Sequence, residues 1–408
     1  MLTGMFSKLT RPKNESSKNF VKSGNKLCKP GPSASSLASL PRARSERIYL
    51  AKKKKLCWHT RLGKIEVEEQ TYRCRSDNSV VRPFAQSAHV TPRGYSLGLQ
   101  RAMTDFGADD SFSEAVNKIS EHYGIEVPQS AVREITQHHA QSMGVEQELQ
   151  TQLPQTGVQL LIAESDGCLV PVVEIVEKEG EKDKRKCRKL DWKEARLSLA
   201  REEGRVSKHY RATMGGVGEA GAQLLDCVIA AGAGENTLIH GVGDGAVWIA
   251  KQVKDKLGEK ASYLTDFYHV SEYLSAAAEA IAGKEEKKPW LRHQQQLLKE
   301  NRVSEVLDEL RPRVEKEEVE EAQAPVRKCE RYISNRIGQL DYKGAIEAKL
   351  PIGSGEVESG NRVVIQKRLK ISGAWWKKEN ADKMLALRCV RASGEWEAYW
   401  EKLRQAAA

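Results

Sequence analysis

The chain has 408 residues, with 66 Lys or Arg against 56 Asp or Glu, and a formal net charge of +10. This length allows two or three domains with real cores, and the charge favours an anionic partner without identifying it. No apolar run reaches the length of a membrane-spanning helix, so no membrane partner is expected. The eight cysteines form no Cys-x-x-Cys pair, which predicts a reduced, cytoplasmic location.

The N-terminal part of the sequence contains two segments of different texture. Residues 1–56 are rich in Ser, Lys, Pro and Gly without periodicity, which predicts a disordered basic tail. In residues 57–90, Ile65 and Val67 alternate with glutamates, which predicts a small β hairpin. Cys74 has no second cysteine three residues later, so no zinc site is predicted.

A helical domain is predicted over residues 91–150. Helices over 111–123 and 129–143, joined by a turn, form a helix-turn-helix pattern, although two consecutive helices occur in any bundle. Val132 and Ile135 are expected to face inward. The polar residues left free to contact a DNA groove are Arg133, Gln137, His138 and His139.

Strands and helices alternate over residues 158–269, which predicts an α/β fold with a mixed sheet and flanking helices. Two apolar strands are expected to end on Asp-Gly, at Asp166 and at Asp244, and a strand over 169–176 is expected to follow the first. Because ligands bind at strand ends in α/β sheets, both aspartates are candidate site residues, although Asp-Gly also marks ordinary turns. Residues 270–345 predict an all-helical insertion, and 346–408 predict further helices.

A third group of acids lies in the stretch 351–362, where Ser354 is expected to cap a helix that carries Glu356 and Glu358 in its first turn. A basic run with interleaved tryptophans follows, which fits a polyanion partner or simply a solvated helix face. Carboxylates brought together repel unless they are protonated or bridged by a cation. Two Mg²⁺ or Mn²⁺ ions about 4 Å apart could activate a water and stabilise the leaving oxygen of a phosphodiester.

Several ordered motifs give a specific resemblance. Residues 165–167, 243–249, 266–269 and 353–362 resemble bacterial insertion-sequence transposases of the Kra type, Asp-Asp-Glu enzymes related to the Mutator-like group. The segments 367–376 and 385–388 also match, and the likeness runs from about residue 60 to residue 400. It implies an RNase H-like catalytic core over 158–269 and 346–408, with the helical insertion placed before the third carboxylate.

The resemblance also implies the site residues. Asp166, Asp244 and Glu358 would be the catalytic triad that holds two divalent ions, with His269 positioning DNA or a carboxylate, unless it is a buried structural histidine. Glu358 is preferred over Glu356 because the related pattern has Glu, two residues, then Asn. Whether Asp244 or Asp266 is the ligand stays open.

The implied activity is strand cleavage at the ends of a mobile element, followed by transfer of the freed 3′-hydroxyl to target DNA. Terminal inverted repeats and target DNA would be the partners, in a nucleoid-associated homo-oligomer that brings two ends together. The residues expected to contact DNA are Arg133, Gln137, His138, Asn361, Arg362, Lys367, Arg368 and Lys370. The alternative is a DNA-binding protein that keeps the fold without catalysis.

Overall fold

The computed structural model describes residues 48–88, 90, 94–146, 149–176, 183, 187–283 and 285–407. Most of the predicted basic tail lies outside these residues. Residues 48–56, however, belong to the first strand, so the prediction of a disordered tail is wrong for them.

The chain forms two compact units, and the smaller contains residues 48–107, 112–135 and 400–407 of the described part. Its antiparallel sheet has the order β1-β2-β3, which confirms the predicted hairpin and adds one short strand. The strands are β1 (Ile48–Thr60), β2 (Gly63–Cys74) and β3 (Val80–Val81).

The predicted helices of the N-terminal region are present. The helices are α1 (Pro83–Ser87), α2 (Leu97–Asp109), α3 (Phe112–Tyr123) and α4 (Gln129–Glu146). Val132 and Ile135 are fully buried, as expected. His139 is also buried, with Nδ1 2.8 Å from the Tyr399 hydroxyl, so the prediction that it is free to contact DNA is wrong.

The larger unit contains a five-stranded mixed sheet in the order β6-β5-β4-β7-β8. β5 is antiparallel to both β4 and β6, whereas β4, β7 and β8 run parallel, which confirms the predicted mixed sheet. The strands are β4 (Leu160–Ile175), β5 (Arg188–Glu202), β6 (His209–Thr213), β7 (Leu238–Gly243) and β8 (Ala261–Thr265).

The predicted turn at Asp166-Gly167 is wrong, because β4 continues through it and pairs with β5 as far as Ile175. Gly167 does not form a turn but lets the Glu194 side chain lie close to the backbone, since a Cβ atom there would be 2.1 Å from Oε1 of Glu194. β6 was not predicted, since its sequence is polar and basic and lacks the apolar alternation of a half-buried strand.

Helices cover the sheet and build the insertion. Residues buried between the sheet and the helices α5 and α6 include Leu161, Leu224, Val228 and Val253. The insertion consists of helices, as predicted, and these helices pack around a core that includes Leu274, Leu298 and Ile333. Within the insertion, the helices Lys287–Lys299 and Val303–Leu310 are separated at Asn301, which has a positive φ of 60°. The helices are α5 (Val217–Ala230), α6 (Val247–Leu257), α7 (Phe267–Ile281), α8 (Lys287–Lys299), α9 (Val303–Leu310), α10 (Pro325–Ser334) and α11 (Tyr342–Glu347).

The C-terminal part begins with a composite helix. Its first half is α12 (Gly355–Gly360), a π-helical turn over Asn361–Gln366 follows, and α13 (Lys367–Leu369) completes it. Two further helices, α14 (Lys378–Ala392) and α15 (Trp396–Ala407), end the described chain. Within that part, none of the helices combines the length and apolarity needed to cross a bilayer.

The composite helix lies very close to the sheet at Gly360. A Cβ atom there would lie 2.9 Å from Cε1 of Tyr210 and 3.0 Å from Cδ2 of Leu197, both of which belong to the sheet. A glycine at this position therefore sets the distance between the helix that carries Glu358 and the strands.

We expect Gly360→Ala to lower the free energy of unfolding by about 1–3 kcal/mol, because the added methyl group overpacks this contact. Urea denaturation of both proteins measures the change. Gly355→Ala, in the same helix and with nothing within 4 Å of its Cβ, is the control and should be neutral or slightly stabilising. Equal stability of the two variants would show that the helix can move away from the sheet at no cost.

Candidate functional site

Parallel strand pairing brings three aspartates side by side. Continuing the register of β4 and β7 sets Asp166 opposite Asp244. β7 and β8 pair up to Gly243 opposite Thr265, so Asp266 comes next to Asp244. The backbone N–H of Asp266 donates to the carbonyl of Gly243 at 2.7 Å, which fixes this arrangement. Asp166 therefore lies inside a strand, whereas Asp244 and Asp266 each directly follow one.

Asp166 has an electrostatically unfavourable position. Burial, and next the charge of Asp244, raise its pKa to about 6, against the lowering effect of its hydrogen bonds and of His269. Its Oδ1 accepts from the N–H of Gly167 at 2.7 Å, and its Oδ2 accepts from Nδ2 of Asn361. Two carboxylates that lie close together repel when both are charged, and a cation bound between them removes this repulsion.

Glu358 projects from the composite helix toward the same place. It lies three residues before Asn361, so both occupy one face of the helix. Single ligand atoms from Asp266, His269 and Glu358 lie within 4.8 Å of one another. The helix thus places Glu358 beside Asp266 and His269, and Asn361 beside Asp166.

Glu356 faces elsewhere. Its carboxylate accepts from Nε of Arg201 at 2.9 and 3.0 Å and pairs with Nζ of Lys208 at 3.2 Å. Of the two glutamates left open by the sequence, Glu358 is the one placed beside the aspartates.

Asp266 is occupied by four hydrogen bonds. Its Oδ1 accepts from the N–H groups of Tyr268 at 2.6 Å and His269 at 3.2 Å, and so caps α7. Its Oδ2 accepts from both the N–H and the hydroxyl of Ser354, each at 2.6 Å. Ser354 therefore bonds to Asp266 and its side chain makes no cap bond to its own helix, contrary to the predicted capping.

His269 and Asp266 form an ion pair, with 3.6 Å between Nδ1 and Oδ2. This contact with Asp266 raises the pKa of His269 to about 9. Burial alone would raise the pKa of Asp266, but the bonds from His269 and Ser354 lower it to about 2. A protonated imidazole cannot coordinate a metal, although it can donate to an anion.

The carboxylates that are not saturated with hydrogen bonds suit a hard divalent cation. Carboxylate oxygens are the ligands that Mg²⁺ and Mn²⁺ prefer, and the raised pKa of Asp166 reflects charge that lacks compensation. Asp266 is saturated with hydrogen bonds, yet the ligand atoms found within 4.8 Å of one another belong to Asp266, His269 and Glu358, so the predicted set of Asp166, Asp244 and Glu358 would have to close around an ion. Among the described residues, the carboxylate of Asp244 accepts one hydrogen bond, from the N–H of Ala246 at 2.8 Å. The metal-binding role of these residues stays a prediction.

Sequence reasoning missed Glu164, which is 1% exposed and lies two residues before Asp166 on the same face of β4. Its Oε2 accepts from the N–H of Val357 at 2.7 Å, and its Oε1 has no partner among the described residues. Burial first, and then the charge of Glu356, raise its pKa to about 8. The i, i+2 spacing with Asp166 was the signal that could have revealed it.

The insertion also supports the site. The Tyr332 hydroxyl donates to the carbonyl of Asp244, and Nε of Arg336 donates to the carbonyl of Gly245 at 2.9 Å. These bonds fasten the turn that carries Asp244, and no local sequence pattern indicated them.

The residues predicted to contact DNA differ in their exposure to solvent. Arg368 is 2% exposed and stacks on Trp376 at 4.8 Å, so the prediction that it grips a phosphate is wrong. Asn361 is 3% exposed and donates to Asp166, which fits a supporting role within the site instead. Gln137 is half-buried, and the exposed members, whose DNA contacts stay predictions, are Arg133, His138, Arg362, Lys367 and Lys370.

Comparison with known protein families assigns the chain. The model of an uncharacterised protein family (UPF0236) matches residues 38–404, nearly the whole chain. The chain belongs to this family. No curated protein matches it significantly. The candidate site of this UPF0236 protein lies entirely within the matched region.

The pKa of Glu164 predicts a pH dependence of stability. In the folded state the Glu164 side chain stays protonated up to about pH 8, whereas in the unfolded state it ionises near pH 4.5. The stability that Glu164 contributes therefore falls as pH rises from about 4.5 to 8. We expect Glu164→Gln, which cannot ionise, to gain on the order of 2 kcal/mol over the wild type between pH 5 and 8.

Urea denaturation at a series of pH values measures this difference. Glu174→Gln, at the exposed end of the same strand, is the control and should keep a constant difference from the wild type. A constant difference for Glu164→Gln as well would mean that Glu164 is ionised in the folded protein.

Proposed function

We propose that this UPF0236 protein is a DNA transposase with an RNase H-like core. Asp166, Asp244 and Glu358 would hold two Mg²⁺ or Mn²⁺ ions. The observation that carries the proposal is that strand register sets Asp166 beside Asp244, while the helix that carries Glu358 reaches Asp166 through Asn361 and places Glu358 within 4.8 Å of Asp266 and His269. Asp166, Asp244 and Glu358 are 78 and 114 residues apart in the chain.

The architecture supports the same proposal. A mixed five-stranded sheet carries the first two acids, and an all-helical insertion precedes the third. This is the order of parts that the resemblance to Asp-Asp-Glu transposases implies.

The bound ions would activate the attacking oxygen and stabilise the leaving oxygen. The protein's own groups would hold the reactants in line. Hydrogen bonds from Asn361 and Gly167 orient the carboxylate of Asp166, and a bond from Ala246 orients that of Asp244. A protonated His269, with its side chain one-third exposed, would donate to a phosphate oxygen.

In the first step a water oxygen attacks phosphorus and the bond to the 3′-oxygen breaks, which leaves a 3′-hydroxyl. That hydroxyl would then attack a phosphorus of target DNA and form a new phosphodiester, while the bond from this phosphorus to the target's own 3′-oxygen breaks and that oxygen leaves as a hydroxyl. The DNA would be the element's terminal inverted repeats and the target. Because two ends must be joined to one target, a homo-oligomer is the expected active form.

We expect Asp244→Asn and Glu358→Gln each to reduce Mg²⁺-dependent DNA cleavage at least about a hundredfold, since each removes a charged oxygen ligand. The substrate is a duplex that carries the DNA flanking this gene, and nicked product is measured on denaturing gels. Binding to the same duplex without metal should change little.

Glu347→Gln, an exposed acid in the last residue of α11, is the matched control and should cleave like the wild type. Equal cleavage by all four proteins would remove these acids from the chemistry. Tight, salt-sensitive binding without cleavage by the wild type would favour the non-catalytic alternative.

Phosphate contacts by the exposed cations predict a salt effect. We expect Arg362→Ala/Lys370→Ala to weaken DNA binding and to lower the slope of log affinity against log salt by about 2, one counterion for each lost contact. Fluorescence anisotropy between low and moderate salt measures the slope. Arg404→Ala, an exposed cation in α15, should leave it unchanged, and an unchanged slope for the double variant would exclude these contacts.

A further inference from the structure

The composite helix contains one turn that is wider than an α-helical turn. The N–H of Lys367 bonds the carbonyl of Arg362, five residues back, whereas the N–H of Lys370 bonds that of Gln366, four residues back. A π-helical turn adds a residue to the helix and disturbs its carbonyl pairing. Something outside the helix must therefore satisfy the displaced carbonyl groups.

Arg388 of α14 meets this need. Its guanidinium, 4% exposed, donates through Nη2 to the carbonyl of Val363 and through Nε to the carbonyl of Val364 at 3.4 Å. Its Nη1 donates to the Ala108 carbonyl at 3.2 Å and pairs with the carboxylate of Asp109. The buried charge is thus neutralised by Asp109, while the Nε and Nη2 edge of the guanidinium holds the wide turn.

The wide turn matters because it rotates the two halves of the helix against each other by about 100°, the angle of one residue. Upstream, Asn361 faces the sheet and reaches Asp166. Downstream, Leu369 is buried and Arg368 stacks on Trp376, whose indole Nε1 donates to the Leu369 carbonyl at 3.2 Å. A regular helix could not satisfy both sets of contacts at once.

We propose that Arg388 is a positioning residue, which holds the π-helical turn and thereby keeps Asn361 on Asp166 and Glu358 beside it. This gives a structural role to the segment 385–388, which matches the transposase motifs but takes no part in the proposed chemistry. The catalytic part of the inference rests on the proposed function. The conformational part does not.

The conformational part is tested by hydrogen exchange in the full-length protein. Arg388→Lys keeps a cation for Asp109 but cannot span both carbonyl groups, so amides of residues 361–370 should exchange at least about tenfold faster than in the wild type. Arg391→Lys, which alters another cation 3.5 Å from Asp109, is the control and should leave this segment protected. Unchanged exchange in Arg388→Lys, or equal acceleration in both variants, would overturn the proposal.

The catalytic part is tested by a double-mutant cycle at a temperature where all variants are folded. Arg388→Lys should lower the cleavage rate constant at saturating DNA about tenfold to a hundredfold, with duplex affinity within about threefold of the wild type. If Arg388 acts through Asn361, then Arg388→Lys/Asn361→Ala should lose no more than Asn361→Ala alone. Multiplicative losses would show that the two residues act separately.

The two proposals fail differently. If the wild type does not cleave DNA, the transposase proposal falls, while hydrogen exchange still decides whether Arg388 holds the turn. If the wild type cleaves and Arg388→Lys has normal kinetics, the positioning role falls and the transposase proposal stands.

Discussion

The carboxylate of Asp266 joins the sheet to the helix on which the candidate site depends. With four donors around two oxygens, it caps α7 and at the same time holds the N–H and hydroxyl of Ser354, immediately before the Glu358 helix. Its pKa of about 2 follows from these bonds, which outweigh its burial. Because a charged group this well satisfied is costly to disturb, it fixes where the helix begins.

The same region contains two buried carboxyl groups whose charged forms are unfavourable. Burial and the neighbouring Asp244 raise the pKa of Asp166, and burial raises that of Glu164. A fold designed only for stability would replace such acids, since buried unpaired charge is unfavourable. Buried carboxyl groups with strongly shifted pKa values are typical of functional sites, which is why this cluster outweighs the protein's general basic character.

The helical parts and most strands were predictable, because each depends on local periodicity and on turn residues. Errors arose where a residue's role depended on a distant partner. Gly167 was predicted to form a turn, yet it makes room for Glu194 inside an unbroken strand. Ser354 was predicted to cap its own helix, yet its hydroxyl donates to Asp266. Arg368 was predicted to reach DNA, yet Trp376 covers it.

The sequence by itself determined the α/β class, the insertion and the candidate acids, since hydrophobic period and residue type are local properties. Only the tertiary structure decided which acids meet. It separated Glu358 from Glu356 through the ion pairs of Arg201 and Lys208, and it showed that Asp266 is already saturated with donors. Those distinctions depend on strand register and helix rotation, which bring together atoms that lie far apart along the chain.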